Sequence, residues 1–133
     1  VNDLIGKDAA LRTVQQALDG LSLRQQTISK NLANIDTPGY RARSVNFEAA
    51  LKAASKRESM ALATDHPGHR SALKSTLSPL VQFRPGGSER ADGNNVDIDV
   101  ELLDMSETGI LYQALSQAAS KKLLLLKNIA MAR

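Results

Sequence analysis

The chain has 133 residues, with 17 basic and 14 acidic side chains, a net charge of +3, no cysteine, and Tyr40, Phe47, Phe83 and Tyr112 as its aromatics. That length bounds the fold to one domain, and the missing cysteines exclude a disulfide framework, a thiolate metal site and a cysteine nucleophile. With so few large rings the core must be built from many small Leu, Ala, Ile and Val contacts, which suits helices packed along their length and excludes a globule with a deep pocket.

The charges are dispersed and form no long run of one sign, so no nucleic-acid arm is expected. The longest apolar run, Leu123–Leu126, is far short of the roughly 20 residues that span a bilayer. No basic region followed by an apolar stretch and a cleavage site opens the chain, so no ordinary secretory signal is expected.

The first predicted element is a long helix. Leu11, Val14, Leu18, Leu21, Ile28, Leu32 and Ile35 alternate spacings of three and four, the pattern of a coiled-coil seam. Gln25 falls on that seam as a polar break. Gly20 is a soft spot, costing about 1 kcal/mol relative to Ala. Arg12, Gln15, Gln16, Arg24, Gln26 and Lys30 form the polar face, and Asp3 or Asp8 is placed to cap the start. Such a helix is about 40 Å long and needs a partner of similar length.

The helix is told to stop within residues 31–40. Pro38 disfavours the α conformation at Thr37, and Gly39 accepts the positive φ of the third position of a type II turn. Thr37-Pro38-Gly39-Tyr40 is therefore a rigid elbow. Asn34 and Asp36 are the local candidates to cap the free carbonyls.

Beyond the elbow, Tyr40–Val45 reads as extended, and Asn46 caps a short helix from Phe47 to about Arg57. Between Met60 and Asp92, Pro67, Pro79, Pro85 and Gly86-Gly87 predict loops, with Leu80-Val81 and Phe83 as candidate strand residues. Val96–Glu101 alternates apolar and acidic residues and reads as an extended lead-in to a helix starting near Asp97 or Asp99. Its first-turn carboxylates suit the positive helix end.

From there no proline occurs up to Met131. Leu102, Met105, Gly109, Tyr112, Ala119, Leu123, Leu126 and Ala130 follow a heptad seam with Ser116 as its polar break. Leu111, Leu115, Leu124, Leu125 and Ile129 fall outside it. A helix apolar on more than one face cannot be covered by one partner, which implies assembly.

The chemistry-bearing candidates fail on spacing. Asp65-His66-Pro67-Gly68-His69 lacks the further ligands a metal needs. Asp92–Asp97 places Val96 and Asp97 where a calcium loop needs an oxygen ligand and a glycine. Gly86-Gly87 lacks a following GK[ST]. No enzyme, cofactor, metal or small-molecule substrate is expected. The reading is all-α: long N- and C-terminal helices pairing as a coiled-coil-like hairpin, with an irregular, loop-rich middle. Residues 1–36, 37–96 and 97–133 are parts of one structural unit.

Two motifs also carry a resemblance. Ala33-Asn34-Ile35-Asp36-Thr37-Pro38-Gly39-Tyr40 resembles the ANxxTPGY signature of bacterial flagellar rod and hook proteins. Gly93-Asn94-Asn95-Val96-Asp97-Ile98-Asp99-Val100-Glu101 resembles the GNxVDxDxE segment that opens their C-terminal helix. The resemblance implies a non-catalytic subunit of the basal-body rod, polymerising through its terminal helices into a torque-transmitting shaft. It makes Ala33, Asn34, Thr37, Pro38, Gly39, Tyr40, Gly93, Asn94, Val96, Asp97, Asp99 and Glu101 the structural motif residues. Leu11, Val14, Leu18, Leu21, Ile28 and Leu32 are the expected seam, and Leu111, Leu115, Leu125 and Ile129 the expected assembly surface. The implied partners are further copies, other rod proteins, the MS-ring/rod adaptor and the export gate, reached through flagellar type III export without a cleaved signal. The alternative reading is a soluble helical adaptor or secretion chaperone that binds a partner helix.

Overall fold

The computed structural model describes residues 9–49, 51–52 and 80–131. Helix α1 (Ala9–Ala33), strand β1 (Arg43–Asn46), strand β2 (Leu80–Phe83) and helix α2 (Ile98–Met131) follow in that order. The two helices hold 25 and 34 residues, about 37 and 51 Å of axis at 1.5 Å per residue, and they pack against each other. Among the described residues no helix is long and apolar enough to cross a membrane. Asp3, Asp8, the short helix beyond Lys52 and the Asp65–His69 cluster lie outside the described residues.

The candidate strand residues do form a strand, but its partner is far away in sequence. β2 pairs antiparallel with β1, in the register Arg43↔Phe83, Ser44↔Gln82, Val45↔Val81 and Asn46↔Leu80. At the end of β1, Asn46 Oδ1 accepts from the Ala49 amide at 3.3 Å, the geometry of an N-cap on the helical turn that follows.

The core joins Ala17 and Leu21 of α1 to Val45 and Phe47, with Leu23, Leu51 and Leu115 packed around them. Phe47 explains Gly20. A Cβ at that position would stand 2.6 Å from Phe47 Cγ, so the glycine is a notch for the ring as well as a weak point in the helix. Gln25, placed on the seam by its spacing, is exposed. Arg24 holds that flank instead: its guanidinium lies 4.7 Å from the Phe47 ring centre, donates to the Val45 carbonyl at 3.0 Å and pairs with Glu48 at 2.6 Å. The seam leans toward Arg24 because β1 and Phe47 pack on that side of α1.

On α2 the buried face keeps Met105, Gly109, Ala119 and Leu126 of the expected seam and replaces its other apolar positions. Glu101 and Thr108 are buried, and Met105, Leu115, Ala119 and Leu126 are half-buried. Leu102, Leu123 and Ala130, expected on the seam, are exposed. Leu115, expected off it, packs against the core. The physical reason is that two inward positions carry polar side chains, so apolar periodicity points to their neighbours. On the other faces Leu103, Ile110, Leu124, Leu125, Ile129 and Met131 are all more than half exposed.

Candidate functional site

The elbow has the local geometry its residues dictate. The Tyr40 amide donates to the Thr37 carbonyl at 3.2 Å, and Gly39 has φ 72°, the positive value a type II turn requires at its third position. Pro38 and Gly39 themselves face solvent.

The cap is not local. Asn34 turns its side-chain amide back to the Lys30 carbonyl at 2.7 Å and accepts from the Thr37 hydroxyl at 3.2 Å. Asp36 is exposed, 3.6 Å from Arg90. Asn94 supplies the donors instead, its Nδ2 lying 3.0, 3.0 and 2.9 Å from the carbonyls of Asn34, Ile35 and Thr37. Two amide hydrogens are thus shared among three acceptors just beyond α1, each of which also has a second donor: Thr37 N for Asn34, Arg90 Nη1 for Ile35 and Tyr40 N for Thr37. Asn94 has no exposed surface. Its backbone amide donates to Asp92 Oδ1 at 3.0 Å and its Oδ1 accepts from Val96 N at 2.8 Å, which holds the side chain in place.

The two motifs touch directly. The Gly39 amide donates to the Asp92 carbonyl at 2.8 Å, and a Cβ on Gly93, where φ is 80°, would lie 3.6 Å from Gly39 Cα. Asn95 Oδ1 accepts from the amide of the buried Ala42 at 2.7 Å. After this lead-in Asp97 caps α2, its Oδ1 accepting from the amides of Asp99 at 3.0 Å and Val100 at 3.4 Å. The helix therefore starts where its sequence predicts.

Asn31 is the second centre. Its Oδ1 accepts from the Tyr40 hydroxyl at 3.1 Å and the Arg43 amide at 3.0 Å. Its Nδ2 donates to the Arg43 carbonyl at 2.8 Å and to Glu101 Oε1 at 2.9 Å. All of the side chain's hydrogen-bonding capacity is used, and the residue is fully buried. Glu101 Oε1 also meets Arg84 Nη1 at 2.9 Å, and Arg84 Nη2 meets Asp104 Oδ2 at 3.0 Å. Burial pushes the Glu101 carboxyl above the usual glutamate value; Arg84 and Asn31 oppose that rise and Asp104 adds to it.

Chemically, this arrangement is a joint. Its donors and acceptors satisfy one another except at Glu101 Oε2, and among the described residues no group of three or more His, Cys, Asp or Glu side chains is placed to hold a metal. It welds the end of α1, the elbow, β1 and the start of α2 into one unit.

A sequence model of the family described as "Flagella basal body rod protein" matches residues 11–41, from α1 through the elbow. The chain is 36% identical over 120 residues to the flagellar basal body rod protein FlgB of Aeromonas hydrophila, covering 90% of each chain. It is 34% identical over 128 residues to FlgB of Escherichia coli K12, covering 92% of this chain and 93% of that one. To FlgB of Bacillus subtilis 168 it is 32% identical over 119 residues, covering 90% and 91%.

The chain belongs to the FlgB family of flagellar basal body rod proteins.

In this FlgB-family chain the motif residues divide by role. Gly39, Tyr40, Gly93, Asn94, Val96, Asp97 and Glu101 form the joint or the start of α2, with Asn34 and Thr37 contributing capped carbonyls. Ala33, Pro38 and Asp99 have exposed side chains. Of the expected seam, Leu21 and Ile28 are buried, and Leu11, Val14, Leu18 and Leu32 half-buried. Of the expected assembly surface, Leu111, Leu125 and Ile129 are exposed, while Leu115 belongs to the core periphery.

Sequence reasoning missed Asn31, Arg84 and Asn95. Asn31 had a readable signal, a polar residue one turn beyond Ile28 on the apolar side of α1. Arg84, directly after Leu80–Phe83, had none, because its partners lie on another element.

Proposed function

We propose that this FlgB-family chain is a non-catalytic building block of the flagellar rod that polymerises through its terminal helices into the drive shaft. Its similarity to rod proteins over nine-tenths of its length, both motifs included, is the observation that carries the reading. The geometry suits the role. The joint sets the angle at which β1 leaves α1, and the C-terminal half of α2 carries apolar side chains facing outward. Copies stacked through such faces, in a contact that does not close on itself, give a helical tube. Long helices aligned with the tube share torque over many packed side chains and backbone hydrogen bonds. The partners on this reading are further copies, other rod proteins, the MS-ring/rod adaptor and the export gate, and the route out is flagellar type III export.

The test is to image basal bodies from a strain whose own rod gene is replaced by a tagged copy of this chain. Tag density in the rod is the expected result. Complete rods with the tag confined to the cytoplasm would favour an adaptor or chaperone instead.

A further inference from the structure

The joint contains one buried group that its surroundings leave half-satisfied. Glu101 has no exposed surface. Oε1 receives both donors offered to the side chain, from Asn31 and Arg84. Oε2, equally buried, has no partner among the described residues. The cation facing the carboxylate is shared, because Arg84 also serves Asp104 one turn further along α2. Arg24 from α1 is committed to Glu48 and the Val45 carbonyl, and Arg43 from β1 stacks 5.4 Å from the Phe83 ring centre. Glu107 of α2 lines a cleft with Arg84 and Asp104, which Glu101 itself does not line. From α1 the group against Glu101 is the amide of Asn31, and behind it stands the Tyr40 hydroxyl of the elbow.

We propose that Glu101 is a proton-operated latch between α1, β2 and α2. A proton on Oε2 gives up no hydrogen bond and exchanges an unpartnered buried charge for an unpartnered neutral hydroxyl, the less costly of the two. Oε1 keeps Asn31 and Arg84, and the charge of Arg84 is matched by Asp104. Without that proton, the buried Glu101 carboxylate shares one guanidinium with the more exposed Asp104, and its unpartnered oxygen carries part of the charge away from water.

A carboxyl whose folded-state pKa is raised, as burial raises this one, adds stability that is complete below its unfolded value of 4.5. That contribution is lost as pH rises through the folded value. The latch therefore grips in mild acid and loosens toward neutral pH.

The test follows the Glu101 side-chain carboxyl by carbon NMR against pH in the full chain, with the hydrogen-exchange protection factor of the Arg43 amide reporting the joint. The expected Glu101 midpoint lies above that of ordinary glutamate. Arg43 protection should fall by about tenfold for each unit between folded and unfolded pKa values. Glu101→Gln removes the titrating group and should flatten that fall, and Asp104→Asn should lower the Glu101 midpoint. A wild-type midpoint at or below the ordinary glutamate value overturns the latch, as does an equal fall of protection in Glu101→Gln. If Glu101→Gln does not fold, the wild-type titration and the Asp104→Asn shift decide between the same two results.

Discussion

The side-chain amide of Asn94 donates to the backbone carbonyl of Asn34, 60 residues earlier in the chain, at 3.0 Å. The end of one long helix is thus completed by the residue that introduces the other. The local bonds from Thr37 N to the Asn34 carbonyl and from Tyr40 N to the Thr37 carbonyl are thereby supplemented from the other half of the molecule.

Asn94→Ala is expected to destabilise the full chain by about 1–3 kcal/mol. It removes a fully buried side-chain donor, although the Asn34, Ile35 and Thr37 carbonyls keep their bonds from Thr37 N, Arg90 and Tyr40 N. Urea unfolding measures this. A loss no larger than that of Asp36→Ala, whose side chain is 93% exposed, would show that solvent caps the helix equally well.

Gly20 and Gly109 should answer alanine with opposite signs. Both lie inside helices, where Ala is intrinsically better by about 1 kcal/mol. A Cβ at Gly109 meets nothing within 4 Å, but one at Gly20 overlaps the Phe47 ring. Gly109→Ala should therefore stabilise. Gly20→Ala should cost about 1–3 kcal/mol from overpacking, and Phe47→Leu added to it should recover part of that loss. Thermal unfolding of the variants distinguishes the notch from a simple weak point.

Gly39→Val should impair the elbow through conformation alone, since a Cβ there meets nothing within 4 Å while φ is 72°. Holding a β-branched residue at that φ costs roughly 1–3 kcal/mol. Asn tolerates the left-handed region, so Gly39→Asn should be milder. Swimming assays on export-competent strains should rank wild type above Asn and Asn above Val. A Val variant that swims normally would show that the turn does not need a left-handed residue.

Leu115 and Leu125 should separate folding from assembly. Leu115 packs against the cluster of Ala17, Leu21, Val45 and Phe47, whereas Leu125 is 62% exposed. Leu115→Ala should lower the stability of the single chain by about 1–3 kcal/mol, below the full cost for a wholly buried Leu. Leu125→Ala should leave it within about 0.5 kcal/mol yet reduce incorporation into rods. Monomer unfolding and rod incorporation measured side by side decide this. A Leu125→Ala chain that incorporates normally removes that residue from the assembly surface.

The features legible in the sequence are those whose causes lie within a few residues. Pro38 and Gly39 determine the turn by their own φ preferences. The absence of Gly and Pro between Leu21 and Thr37 allows α1 to run to the elbow, and Asp97 starts α2 with its own side chain. Asn46 likewise caps the turn that follows it. The two motif segments were legible as well, though not what they do to each other. The tertiary structure alone decided that Asn94 caps α1 and that Asn31 and Arg84 converge on Glu101. It also decided that β2 finds β1 and that α2 turns Glu101 and Thr108 inward in place of Leu102. These outcomes share one physical cause. A polar side chain is stable in a dry interior only when a partner is delivered to it, and here the partners come from distant elements. A helix read by its apolar rhythm is therefore phased in part on the wrong residues until those partners are in place.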